Sequence, residues 1–257
     1  MRAAVAHLRR SYRGEESVDQ RTTVYLKKRG IKHLDIVQDM NCDGVLKPIG
    51  PIYADGFKIL LRRQSSHARL RFTIAHEICH TFFYQFVPEL KFTPHEVDRN
   101  EERLCDFGAA ELLMPAASIQ KAALGLSVCI ESLRRLAVHY SVSVTAMFLR
   151  LRSLRLWNCV FSEWHRMVNG TFILANCYGG KAVPWEWEDE SILDEAWQSN
   201  KASRGHTFVR YQNERGTRYY CPTRFEVRRF GNRIISLWGS EITNPLPVYP
   251  LFEASRS

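Results

Sequence analysis

Apolar positions recur at helical spacing through roughly the first 156 residues and alternate with polar ones through the rest. Between residues 1 and 38, Val24, Leu26, Ile31, Leu34 and Ile36 fit one or two amphipathic helices, punctuated at Gly30. From Asn41 the turn signals NCDG, KPIGP and ADG separate short apolar runs, among them FKILLR at Phe57 to Arg62, and predict a small meander of strands. A long helical pattern follows, N-capped at Ser66 and running to Phe86 ahead of Pro88. Thr93, Pro94, His95 and Glu96 read as N-cap, N1, N2 and capping carboxylate of another helix, which Met114-Pro115 closes. Two or three more helices are expected from Ala117 to about Leu156. After Trp157, GTFILANCYGG, HTFVRYQNERGTRYYC and FEVRRFGNRIISLWG alternate as antiparallel strands do. The expectation is an α+β chain: a mostly helical domain with a small β-sheet over 1–156, then a β-rich domain over 157–257.

Composition narrows the setting. At 257 residues, 45% hydrophobic and 25% charged, the chain has the make-up of a globular protein of one large or two small domains. The basic N-terminus turns polar before any apolar run of signal length, and no later window approaches a membrane span, so the expected location is cytoplasmic, with no membrane partner. Seven cysteines without a CxxC argue for reduced thiols rather than a disulfide scaffold. The net charge of +9 points to an anionic partner.

The candidate chemistry lies in RFTIAHEICHTFFY, residues 71–84. Residues four apart on a helix share a face, so His76 and His80 can hold one ion. Glu77 is turned about 100° away, within reach of a water at that ion without ligating it. This is the arrangement a zinc hydrolase needs, but H-E-x-x-H also arises by chance, and a third ligand is required. A histidine ligand six residues on is excluded, because Phe83 and Phe86 stand where Gly and His would be needed. The other route is a carboxylate on the following helix. In EERLCDFGAAELLMP, Glu102 and Asp106 are i,i+4, so that one can bind the metal and the other can fix a ligand imidazole by hydrogen bonding. Glu101 and Glu111 are the rivals.

These two segments together resemble the ImmA/IrrE metallopeptidases, a gluzincin-like family. Its joint signature is an RFTxAHExxH helix and an ExxxN/D-x-x-A-x-x-L-L-M-P helix, and the resemblance covers roughly residues 20–156. It implies a zincin-like fold and one zinc ion per chain, held by His76, His80 and Glu102, with Glu77 as general base and Asp106 as the partner of a ligand histidine. Members cleave helix-turn-helix transcriptional repressors and so release stress, mobile-element or defence genes. Larger members carry a GAF-like sensor after the peptidase, and 157–257 has the length and texture for one. The family also places a helix pair at residues 130–155, where this chain reads as a helix-turn-helix bearing Arg150, Arg152 and Arg155; the resemblance favours packing over DNA reading there.

Several finer expectations follow. An exposed edge at GFKILLRRQ would hold a substrate loop extended beside the metal. Tyr53, His67 and Tyr84 are candidates for the oxyanion stabiliser. Cys105, three residues after Glu102, is a candidate thiol switch that would fill the open metal position. From Lys201 to Arg233, nine Lys or Arg against Glu214 and Glu226 supply +7 of the +9. Aromatic residues interleave with them, which suits single-stranded DNA as an activator, with Arg210, Arg218, Arg228 and Arg229 as contacts. The acidic PWEWEDESILDE should be a solvated helix start or a face that pairs with this basic one. The competing functions are a non-catalytic nucleic-acid-binding regulator with a structural zinc, and an antitoxin-like partner acting by stoichiometric binding.

Overall fold

The computed structural model describes residues 1–10, 18–50, 55–63, 66–86, 99–179, 183–187, 191–212 and 218–239, with backbone alone at 10, 18–21, 85–86, 183–187, 207–212 and 218–222. The chain forms two compact units. One comprises Met1–Ala122 with Leu136–Arg150, and the other Ala123–Arg135 with the chain from Leu151 onward. Among the described residues are eight helices and two sheets, an α+β architecture. No helix among them is long and apolar enough to cross a membrane.

The first unit opens with α1 (Arg2–Arg10) and α2 (Val18–Lys28). Gly30 ends α2: at φ +70° it takes the left-handed conformation that closes a helix, and its N–H reaches back to the Lys27 carbonyl at 3.1 Å. Ile31–Val37, expected to be helical, is instead strand β1, and β2 (Gly44–Pro48) and β3 (Phe57–Arg62) complete a three-stranded sheet. The order is β1-β3-β2, with β1 parallel and β2 antiparallel to β3. The sheet is therefore no simple meander. β3 is its central strand, so the expected substrate edge cannot lie there. β1 and β2 are the edge strands, each without a second strand partner among the described residues, and β2 is the one that lines the cleft described below.

α3 (His67–Phe86) begins as predicted, with the Ser66 hydroxyl accepting the Arg69 N–H at 3.3 Å. α4 is described from Arg99 to Leu113, so the Thr93 cap lies outside the described residues, while its close at Met114-Pro115 holds. α5 (Ala116–Ala123), α6 (Ile130–His139) and α7 (Val144–Ser153) follow. Arg150 is buried, donating to the Met114 carbonyl at 2.9 Å and pairing with Glu111. That arginine of the helix pair packs; it does not reach outward.

In the second unit, β4 (Val160–Arg166), β5 (Phe172–Tyr178), β6 (Val183–Trp187), β7 (Ser203–Gln212), β8 (Arg218–Phe230) and β9 (Arg233–Trp238) form one antiparallel sheet, ordered β5-β4-β9-β8-β7-β6. α8 (Ser191–Ser199) packs Leu193 and Ala196 against Val160, Trp164, Phe225, Val227 and Ile234. The buried Ser236 hydroxyl accepts both the Trp164 and Trp238 indole N–H groups at 3.0 Å, so neither donor is lost to the core.

Candidate metal centre

Two helices carry the site, and glycine sets how closely they approach. A Cβ on Gly108 of α4 would lie 2.5 Å from the Cys79 sulfur of α3, so only glycine permits the separation seen. Cys79 is thus a packing residue, its thiol pushed up to about 12 by burial. The helices run antiparallel, which sets His80 beside Glu101 and Glu102 and His76 beside Glu102 and Asp106.

The donor atoms converge. The Nε2 atoms of His76 and His80 are 3.1 Å apart; Glu102 brings one carboxylate oxygen to 3.1 Å from the first and the other to 3.4 Å from the second. A tetrahedral zinc with ligands at about 2.0–2.1 Å needs its donor atoms roughly 3.3 Å apart. The three side chains converge at close to that spacing, Glu102 turning a different oxygen to each imidazole, and their chemistry, two imidazoles and a carboxylate, suits zinc with one position left open. His76 and His80 Nδ1 atoms turn away, to Asp106 at 2.9 Å and Glu101 at 2.7 Å. Each ring is thereby held with Nε2 presented as the donor. Burial works against a charged His76 ring, but Asp106, Glu77 and Glu102 outweigh it and raise its basicity above an ordinary imidazole.

Asp106 is brought to the position expected of it. Glu101, named only as a rival ligand, has a different place as the partner of His80. Changing Glu101 to Gln should lower zinc affinity about 10- to 100-fold. Competition against a chromophoric chelator measures this, and an unchanged affinity would remove Glu101 from the site. The other rival, Glu111, is tied elsewhere: it pairs with Arg9 at 3.0 Å and with Arg150, and accepts the Ala116 N–H at 3.2 Å.

Glu77 sits beside this face, buried among α3 and β2. Burial raises its carboxyl above the usual carboxylate range, against the pull of His80 and His76 and of a hydrogen bond from the Leu46 N–H. Gly44 at the start of β2 makes room for it, since a Cβ there would meet Thr73 at 2.5 Å and the Glu77 carboxylate at 3.0 Å. The site opens into a cleft of about 620 Å³ walled by β2 on one side and α4 on the other, with Phe83 and Tyr84 on its rim.

Of the three oxyanion candidates, Tyr84 lines this cleft, while His67 is exposed at the start of α3 and Tyr53 lies outside the described residues. Tyr84 is set against Phe57, ring centroids 5.0 Å apart, and burial followed by Glu101 and Glu77 keeps its phenol protonated beyond the usual range. Cys105 is fully buried behind the ion site, and its sulfur forms with His76 and His80 a set of ligand atoms within 4.8 Å of one another. Burial, then Cys79 and the neighbouring carboxylates, push its thiol strongly up.

The four arginines expected to meet nucleic acid divide. Arg228 donates to Glu131 at 2.9 Å, and Arg229 lies 4.0 Å over the Trp197 ring while donating to the Trp197 and Gly231 carbonyls. Arg210 and Arg218 lie on β7 and β8, with side chains outside the described residues.

Residues 50–152 match the peptidase family described as IrrE N-terminal-like domain. A solved chain described as a Mycobacterium tuberculosis transcriptional regulator matches over 92% of this chain and 86% of its own, at 13% identity and a TM-score of 0.53, a likeness of fold. No curated protein matches the chain by sequence.

Proposed function

We propose that this chain, whose residues 50–152 match the IrrE N-terminal-like domain family, is a zinc-dependent endopeptidase that cleaves a helix-turn-helix transcriptional repressor. The observation that carries the reading is the convergence of His76, His80 and Glu102 at 3.1 to 3.4 Å with the buried Glu77 beside them. A staple between two helices has no use for a buried carboxylate of raised pKa beside its open position; a hydrolase does.

Zinc bound there would supply Lewis acidity, making a water acidic near neutral pH and polarising a peptide carbonyl. The chain's own residues do the rest. Glu77 takes a proton from the attacking water at its carboxylate oxygen and hands it to the leaving amine nitrogen. Its raised pKa leaves it a stronger base than an exposed glutamate. Asp106 and Glu101 keep both imidazoles in one tautomer throughout. β2 is an edge strand that lines the cleft, and backbone groups of that edge not taken by Glu77 would pair with an extended substrate segment across the site. A substrate of that kind must present a loop or an unfolded stretch.

Tyr84 is proposed to donate its O–H to the carbonyl oxygen as negative charge develops there. Tyr84→Phe should then lower kcat about 10²- to 10³-fold with little change in KM. A change in KM alone would make Tyr84 a binding residue.

The test of the reading is turnover. The zinc-loaded chain is incubated with helix-turn-helix repressors and with a diverse peptide library, and new N-termini are read by mass spectrometry. Expected are several cleavages per chain, stopped by a chelator and restored by zinc. A stoichiometric complex with no new N-terminus would favour the antitoxin-like partner instead. Single-stranded DNA remains the proposed activator of the second half, but it would have to compete with Glu131 for Arg228 and with Trp197 for Arg229.

A further inference from the structure

The second unit contains a cleft of about 940 Å³ that the peptidase reading does not use. It lies over the face of β7 and β8 turned away from α8. Register makes this face charged: Arg204 pairs with Glu226 across the strands and His206 with Arg224, while the alternating position Phe225 belongs to the core under α8. The opposite wall is made by residues 126–129 before α6 and by Arg155, Leu156 and Asn158 after α7.

Among the described residues, Arg155, Arg204 and Arg224 line the cleft together with one carboxylate, Glu226. That carboxylate is already engaged: it is 2% exposed, accepts the Ile130 N–H at 2.7 Å and takes Arg204 at 3.0 Å. Among the described residues, the cleft's lining carries more positive than negative charge. Arg224 Nε donates to His206 Nε2 at 3.0 Å, which leaves the other ring nitrogen of His206 as a donor.

Arg155 adds a separate observation. The Leu156 N–H bonds the Leu151 carbonyl at 2.9 Å and the Arg155 N–H bonds Arg152 at 2.8 Å, the double closure of a helix end that ordinarily carries glycine. Arg155 holds that position at φ +57°. A long, charged residue thus stands where glycine would fit the backbone with less strain, and it lines the cleft.

We propose that this cleft binds a small phosphorylated molecule of nucleotide size. Planar guanidinium forks match phosphate oxygens, Leu156 offers an apolar contact for a ring, and the volume suits one such ligand. A continuous nucleic-acid strand is the competing occupant.

Calorimetry on the full chain tests this with adenosine monophosphate, adenosine, inorganic phosphate and an oligothymidylate as probes. Adenosine monophosphate should bind one per chain and be displaced by inorganic phosphate, while adenosine without its phosphate should bind at least tenfold more weakly. Arg155→Gly and Arg224→Gln should each weaken adenosine monophosphate at least tenfold. Arg155→Gly should do so with an unchanged or higher Tm, which separates ligand loss from misfolding. Arg204 is left intact because it neutralises the buried Glu226. Unaltered binding in both variants would overturn the proposal. So would no binding of the monophosphate or of phosphate at millimolar concentration, or tight binding of the oligothymidylate alone.

Discussion

Replacing Glu77 with glutamine is expected to lower kcat by about 10²- to 10⁴-fold while leaving zinc content and KM nearly unchanged. Glutamine keeps the size of the side chain and an oxygen to accept the Leu46 N–H, so the cleft and its strand wall stay in place. What is lost is the ability to take a proton from water. The same substitution carries a stability signature. Burial raises the Glu77 pKa in the folded chain above its unfolded value, so the metal-free protein favours the protonated carboxyl. Its stability should therefore fall as pH rises through the unfolded and then the folded pKa of that group. Glu77→Gln should remove this component and raise Tm at neutral pH. Thermal unfolding of both metal-free proteins across that pH window measures it; parallel curves would mean that Glu77 is not the buried carboxylate described.

The second large effect is expected at Glu102. Its side chain is 42% exposed, so Glu102→Ala opens no cavity, and the protein should fold with normal stability. Zinc binding should nevertheless fall by more than the roughly 10- to 100-fold expected on losing an outer partner, because a donor atom itself is gone. Peptide hydrolysis should disappear with it. Glu111→Ala makes the contrast. It leaves the buried Arg150 without its carboxylate and should cost about 3–5 kcal/mol of stability, with zinc affinity of the surviving fold unchanged. Paired zinc titrations and denaturant curves on the two variants separate ligand from support. A normal zinc affinity in Glu102→Ala would return the choice of third ligand to its neighbours.

These outcomes reflect what the sequence makes visible. The i,i+4 pairs His76/His80 and Glu102/Asp106 are spacings along single helices, so their shared faces can be read without knowing the fold, and the Ser66 cap and the Met114-Pro115 close are equally local. Glu101 was within reach by the same logic. Two histidines that turn toward one candidate ion position need two outer partners, and assigning Asp106 to one left the other to be found. The strand β1 was not legible. Its middle is exposed on both faces, so it lacks alternation, and its pairing is with β3, a contact distant in sequence that periodicity cannot show. The same pairing moves β3 to the centre of the sheet and leaves β1 and β2 as its edges, β2 being a short segment that ends in Pro48. Charge counting along the second half had a similar limit. It registers Arg228 and Arg229 as cations but not the Glu131 and Trp197 that hold them, nor the register that gathers Arg204 and Arg224 beside Arg155.

The central claim is an open zinc site of two imidazoles and one carboxylate. Zinc-edge X-ray absorption on the metal-replete chain tests it without knowledge of the substrate. The account predicts about one zinc per chain, with nitrogen and oxygen neighbours only at about 2.0–2.1 Å. A sulfur neighbour near 2.3 Å would place Cys105 on the metal and make the site closed rather than ready, and a chain that takes up no zinc would contradict the account outright.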